Sequence, residues 1–78
     1  MADTYSPFSG ALLLCVDIQP IFLQAVIDGP QLLRRSCFAV QAAKGLGIPV
    51  AFTEQVPQKL GGTAPELLKL APNAKLFG

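Results

Sequence analysis

Residues 12–20 form the segment that most restricts how this chain can fold. The segment is Leu-Leu-Leu-Cys-Val-Asp-Ile-Gln-Pro, so an apolar run leads directly into a carboxylate and an amide. Strands of a parallel sheet covered by helices have such continuous apolar runs, and ligands in open α/β sheets bind outside the carboxyl ends of the strands. The segment predicts a strand over residues 11–17, with Asp17 at the end where chemistry is expected. The alternative is that Asp17 only caps the following turn, because Asp and Pro are common turn residues.

The segments after this strand predict a βαβ unit. Residues 20–26 can form a short helical turn. A longer helix is predicted over residues 30–44, because its apolar residues recur at intervals of three and four and two glycines follow it. Residues 48–53 form a second predicted strand. A helix that crosses between two strands of one sheet makes them parallel, with a right-handed connection.

Polar residues are expected to meet at one edge of this sheet. Because parallel strands end at the same edge, residues 17–19 should lie beside residues 53–55. Residues 56–62 are predicted to be a glycine-containing loop above that edge. Residues 63–66, Thr-Ala-Pro-Glu, have the form of a capping box and predict a short helix ending near Leu70. Residues 75–78 look like the start of another element.

Composition excludes several classes of function. The chain has 78 residues, of which 51% are hydrophobic and 14% charged, with a net charge of +1. This balance gives no electrostatic footprint for nucleic acid or an acidic membrane, and no apolar run approaches the roughly 20 residues that span a bilayer. The absence of histidine excludes Ser-His and Cys-His dyads and histidine metal ligands within these residues. The two cysteines fit reduced thiols in the cytoplasm.

An ordered set of short motifs resembles the isochorismatase-like cysteine hydrolases, and among them the Thr-Glu-Gln subgroup. The motifs are Asp17-Ile18-Gln19, Gly47-Ile48-Pro49-Val50, Thr53-Glu54-Gln55, Leu60-Gly61, Thr63 and Pro65-Glu66-Leu67. The resemblance covers residues 11–78, after a leader of residues 1–10, and matches only the N-terminal part of a longer family domain. It implies a three-layer α/β/α fold around a parallel sheet, Rossmann-like in type, which is present here as an incomplete fragment.

The resemblance also implies a site built on a Cys-Asp-Lys triad. Asp17 would be the catalytic acid-base residue, which takes the proton of the cysteine nucleophile. The family's lysine follows a short apolar-aromatic segment that Leu76-Phe77-Gly78 resembles, so it would come immediately after residue 78. Lys75 comes too early for this role, and the nucleophilic cysteine would follow later. Cys15 and Cys37 are expected to be core residues. The substrate-pocket candidates are Gln19, Thr53, Glu54 and Gln55. No metal or other cofactor is expected.

The leading hypothesis is an N-terminal fragment of a hydrolase whose full-length parent cleaves a small amide or related substrate. The fragment itself is expected to be inactive. The alternative is a truncated or degenerate non-catalytic module for binding or assembly, and homo-oligomerisation is expected because strands that are apolar on both faces lack cover in so short a chain. A complete small flavodoxin-like ligand binder is disfavoured, because the sequence has neither a Gly-x-Gly-x-x-Gly motif nor a P-loop.

Overall fold

A three-stranded parallel sheet with helices packed on one face forms the centre of the molecule. The computed structural model describes residues 10–78. The elements in chain order are β1 (Leu13–Val16), α1 (Pro20–Ala25), α2 (Gly29–Gly45), β2 (Val50–Thr53), α3 (Pro57–Leu60), α4 (Pro65–Leu70) and β3 (Lys75–Phe77). In the described part of the chain, no helix is long and apolar enough to cross a membrane. The predicted leader lies outside the described residues, apart from Gly10.

The predicted βαβ unit is confirmed. β1 and β2 are adjacent and parallel, paired from Leu13 with Val50 to Val16 with Thr53, and α2 lies between them in the chain. β2 starts two residues later than predicted. The physical reason is Pro49, which has no N–H for the ladder and only accepts a hydrogen bond from the Leu13 amide, at 2.9 Å.

The covered face of the sheet carries the hydrophobic core. Val40 of α2, Phe52 of β2 and Leu67 of α4 are completely buried and pack with Cys15 of β1. Because the periodicity of α2 places its apolar side against the sheet, this helix covers the β1–β2 pair. The core therefore lies between the sheet and the two helices α2 and α4.

The other face of the sheet remains open among residues 10–78. Leu14 and Val16 of β1 and Phe77 of β3 are each about half exposed, and Val16 and Phe77 flank Thr53 in one row across the strands. We call the half-exposed side chains of Leu12, Leu14, Val16 and Phe77 the open apolar face. The α/β architecture is thus present as a parallel sheet and one helical layer.

Three local expectations are corrected or completed by the structure. The predicted loop over residues 56–62 contains the one-turn helix α3. Thr63 does not cap α4, because that helix begins at Pro65 with Ala64 as its N-cap and no side-chain cap bond. Proline fits the first helical position and so moves the start beyond the apparent capping box. The element expected near residue 75 is the third strand, β3, which pairs with β2.

Candidate active site

Asp17 is the first residue after β1, at the carboxyl edge of the sheet. Its backbone has φ 56°, in the left-handed region. This region costs an L-residue roughly 1–2 kcal/mol, although Asp and Asn enter it more readily than most residues. The unfavourable conformation persists because hydrogen bonds from the neighbouring strand hold it, and it turns the chain sharply at the tip of β1.

Thr53 holds Asp17 through both its backbone and its side chain. The Asp17 amide donates to the Thr53 carbonyl at 3.1 Å and to Thr53 Oγ1 at 3.0 Å. The same hydroxyl donates to Asp17 Oδ1 at 2.8 Å. Within residues 10–78, no hydrogen bond reaches Asp17 Oδ2. The carboxylate thus has one oxygen held by the protein and one that can accept a proton.

Gln19 connects the turn after β1 to both ends of the next loop. Its side chain is completely buried, with 0% exposure. Nε2 donates to the Gln55 carbonyl at 3.1 Å and to the Gly61 carbonyl at 2.5 Å, and Oε1 accepts from the Gln55 amide at 2.7 Å. Gln19 therefore closes the loop of residues 55–61 at its base. The buried Gln19 amide thus fixes the position of this loop and does not face solvent.

Glu54 and Thr63 form a second connection at the same edge. Glu54 Oε2 accepts from the Thr63 amide at 2.7 Å and from Thr63 Oγ1 at 2.8 Å. A Cβ atom on Gly62 would lie 3.1 Å from the same carboxylate oxygen, so this side chain runs close to the loop backbone. The Thr-x-x-Glu pattern of residues 63–66 predicts a helix cap at Thr63, and this prediction is wrong. The signal that could have corrected it is Pro65, which makes Ala64 the residue before the helix.

Gln55 and Val56 offer exposed side chains beside these buried connections. Gln55 has its backbone held by Gln19, while its side chain is exposed. Val56 has φ 41°, a strained conformation for a β-branched residue, and sequence analysis did not single it out. All the predicted site residues thus lie at one edge of the sheet. Asp17 and Gln55 have polar groups available to a ligand, and Gln19 and Glu54 are engaged in holding the loop.

Neither cysteine lies at this edge. Cys15 is buried in the core, where loss of hydration raises the pKa of its thiol above the ordinary value. Cys37 of α2 is partly buried against the same core. Both positions agree with the predicted core roles, because a reactive cysteine needs an accessible and stabilised thiolate.

Lys75 does not meet Asp17 in the sheet register. It pairs with Ala51, two positions before the row of Thr53, which is about 7 Å back along the strands. Within residues 10–78, no group of three His, Cys, Asp or Glu side chains is placed to hold a metal ion.

Two grooves lie away from the predicted site. One, of about 700 Å³, lies between α1, the start of α2 and α4, and includes Leu23, Leu33 and Pro65 in its walls. The other, of about 330 Å³, lies at the opposite end of the sheet near Pro49 and Pro72. None of the predicted site residues lines either groove. The edge that carries Asp17 is bordered by the loop of residues 55–63, and Asp17 itself is partly buried there.

Comparison with known proteins gives independent support for a family. The chain is 42% identical over 59 residues to isochorismatase domain-containing protein 2 of Xenopus laevis, covering 76% of this chain and 28% of that protein. It is 41% identical over 61 residues to the human protein of the same name, covering 78% of this chain and 29% of that protein. These matches support an isochorismatase-like family for this chain. No protein-family model matches it.

A more distant relative and a solved structure agree with this isochorismatase-like assignment. The secreted isochorismatase effector Isc1 of Phytophthora sojae (strain P6497) is 35% identical over 74 residues, covering 91% of this chain and 35% of the effector. The structure of the MAR1 ribonuclease from Caenorhabditis elegans superposes with a TM-score of 0.78 and 34% identity, covering 85% of this chain and 35% of that one. The isochorismatase-like chain described here thus spans about a third of the length of these relatives.

Proposed function

We propose that the protein containing this chain is an isochorismatase-like hydrolase in which Asp17 is the acid-base residue of a Cys-Asp-Lys triad. The observation that carries the proposal is the position of the Asp17 carboxylate together with its hydrogen bonds. It lies at the carboxyl edge of the parallel sheet, where α/β enzymes bind ligands. Thr53 fixes one of its oxygens, and the other has no hydrogen bond within residues 10–78.

The proposed reaction is the hydrolysis of a small amide or a related substrate. Asp17 accepts the proton of a cysteine thiol located beyond residue 78, and the thiolate attacks the substrate carbon. For an amide, the C–N bond then breaks, the amine leaves with a proton, and water cleaves the resulting thioester to regenerate the thiol. The triad lysine also comes from beyond residue 78. The exposed side chain of Gln55 is available to contact the substrate.

Residues 1–78 by themselves are proposed to be inactive. Cys15 is buried and its raised pKa keeps the thiol protonated, and Cys37 packs on the core side of α2. Neither can supply a thiolate next to Asp17. Activity is therefore to be measured on the full-length product of the gene that contains this chain.

The substitution Asp17→Asn tests the proposal directly. Asn has the same shape and also enters the left-handed region, so folding should be unchanged, but the proton acceptor is lost. Turnover should fall by about 10²- to 10⁴-fold, the usual contribution of a positioned acid-base group. The assay is hydrolysis of a panel of small amides and vinyl ethers, with a thermal melt of each variant.

Asp28→Asn is the matched control for this experiment. Asp28 is exposed before α2, and its side chain makes no cap hydrogen bond, so its neutralisation should leave turnover unchanged. If folded Asp17→Asn retains wild-type turnover, Asp17 is not the base and the proposal is wrong.

RNA belongs in the same panel because of the structural neighbour named a ribonuclease. Six basic and five acidic residues in this chain give no excess of positive charge for phosphate contacts, which favours a small substrate. Cleavage of RNA that depends on Asp17, without hydrolysis of any small substrate, would redirect the proposal to nucleic acid.

The open apolar face supports a second candidate function, a non-catalytic module for binding or assembly. The half-exposed side chains of the open apolar face lie side by side on one face of the sheet, and contiguous apolar patches mark surfaces that contact other protein segments. We also propose that the protein forms homo-oligomers. If the full-length product is folded and oligomeric, lacks a downstream Lys and Cys and hydrolyses nothing in the panel, the assembly function replaces the enzymatic one.

The cytoplasm is the proposed compartment. Both cysteines are free thiols in the structure, which fits a reducing environment. One relative is by name a secreted effector, so fractionation of cells that express the native gene is the appropriate test. Recovery of the protein only from the culture medium would contradict the cytoplasmic proposal.

A further inference from the structure

We propose that Thr53 is a positioning residue for Asp17, which selects the carboxylate oxygen that acts as the base. This inference rests on the proposed function, because it concerns how the Asp17 acid-base group is aimed. In this role Thr53 orients the Asp17 carboxylate and does not contact the substrate.

The hydrogen bonds of the Thr53 hydroxyl leave it only one orientation. A hydroxyl has a single proton to donate and lone pairs to accept with. Thr53 Oγ1 accepts from the Asp17 amide at 3.0 Å, so one lone pair faces the backbone N–H. The hydroxyl proton is then donated in a hydrogen bond to Asp17 Oδ1, at 2.8 Å. One hydroxyl thereby fixes both the left-handed backbone and the side chain of Asp17.

The strand register explains why a threonine can do this. Val16 pairs with Thr53 in the ladder, so Asp17 is the first residue past the pairing and its amide still points at β2. The Thr53 carbonyl and hydroxyl share that amide. Because threonine is branched at Cβ, its χ1 angle is restricted and the hydroxyl is presented in a set direction. Serine retains the hydroxyl without this restriction, and valine retains the shape without the hydroxyl.

Loss of the hydroxyl should free the Asp17 carboxylate to rotate. Oδ1 then loses its donor, and the two oxygens exchange roles as the side chain samples other rotamers. A misplacement of about 1 Å in a catalytic group can reduce the rate about 100-fold. Substrate binding is affected much less, because the hydroxyl is already engaged with Asp17. The expected signature is a change in kcat with little change in KM.

The test compares Thr53→Val and Thr53→Ser in the full-length gene product. Thr53→Val should lower kcat by about 10- to 100-fold with KM changed by less than about three-fold. Thr53→Ser should recover most of the rate, because the hydroxyl returns. Ser36→Ala is the control for loss of a hydroxyl, because the partly exposed Ser36 donates to the Leu32 carbonyl within α2, away from Asp17, and the kcat of this variant should equal that of the wild type.

Side-chain couplings measured by NMR give a readout that does not depend on turnover. Asp17 should show a single χ1 rotamer in the wild type and in Thr53→Ser, and averaged couplings in Thr53→Val. A merely structural role for Thr53 would lower the melting temperature of Thr53→Val and leave both kcat and the Asp17 rotamer unchanged. That pair of results would overturn the inference.

The outcomes separate this inference from the proposed function. If Asp17→Asn abolishes turnover while Thr53→Val keeps the wild-type kcat, the proposed function stands and the positioning role of Thr53 is wrong. If Asp17→Asn keeps turnover, the proposed function fails. The NMR couplings of Asp17 then test by themselves whether Thr53 orients the Asp17 side chain. A single Asp17 rotamer in Thr53→Val would contradict that role as well.

Discussion

The two faces of the sheet have similar apolar sequences and very different surroundings. Phe52 and Phe77 lie on adjacent strands, yet Phe52 is 0% exposed and Phe77 is 49% exposed. They are one position out of register, since Phe77 pairs with Thr53 and Phe52 pairs with Leu76. A shift of one residue moves a side chain to the other face of a sheet. The face of the sheet is only part of the reason, because Leu76 lies in the same row as Phe52 and is still 51% exposed. Burial therefore depends both on the face that a side chain occupies and on whether its strand is central, as β2 is, or at the edge, as β3 is.

The largest expected effect comes from the covered face. Phe52→Ala should lower the free energy of unfolding of residues 1–78 by about 3–5 kcal/mol, because it removes a completely buried ring and leaves a cavity. Phe77→Ala is the matched control and should cost about 1 kcal/mol or less. Urea denaturation of both variants measures the difference. Equal losses in the two variants would mean that the Phe77 ring is as well packed as the Phe52 ring, which would contradict the difference between the two faces.

The next effect concerns the close approach of the helices on the covered side. A Cβ on Gly29 would lie 2.0 Å from the carbonyl oxygen of Leu23, so Gly29→Ala must push α1 away from α2. We expect a loss of about 1–3 kcal/mol, typical of overpacking.

Gly45→Ala is the control for the Gly29 experiment, since it introduces the same methyl group at the end of α2 with no atom within 4 Å. It should be neutral or stabilising by up to about 1 kcal/mol, because alanine is the better helix former. Thermal melts of the two variants give the comparison, and an equal stability of both would disprove the helix contact at Gly29.

A smaller effect is expected from the thiol on the covered face. Burial raises the pKa of Cys15, so the folded protein holds this proton more tightly than the unfolded chain. The stabilising contribution is complete below the ordinary thiol pKa of about 8.5 and is lost as pH rises through that value towards the raised one. Unfolding measured between about pH 8 and pH 10 should show a steeper loss of stability in the wild type than in Cys15→Ala. Parallel curves would show that the thiol is not buried.

The smallest change in stability is expected on the open apolar face. Leu14→Lys should alter the free energy of unfolding by about 1 kcal/mol or less, because the side chain is 47% exposed. It should nevertheless reduce self-association of residues 1–78, measured by sedimentation. Leu32→Lys, a similarly exposed leucine on α2, should leave self-association unchanged. A reduction of the same size in both variants would show that added charge, and not the open apolar face, controls association.

Local patterns in the sequence determined the βαβ unit and the edge at which polar residues meet. The apolar run before Asp17, the periodicity of α2 and the crossover rule were sufficient to place residues 17–19 beside residues 53–55. These features depend on repeat lengths and chain direction, which can be recognised within a window of a few residues. The family resemblance rested on the same local motifs.

Only the tertiary structure decided the role of each side chain at that edge. The Gln19 side chain donates a hydrogen bond to the Gly61 carbonyl, 42 residues further along the chain. Thr63, which the sequence predicts as a helix cap, instead donates to Glu54. The left-handed backbone of Asp17 likewise depends on Thr53, which lies 36 residues further along the chain. Hydrogen bonds between distant segments form only after the sheet has brought the strands together. The pattern of residue types therefore indicated which side chains meet, and the folded chain decided which of them hold the loop and which remain available to a ligand.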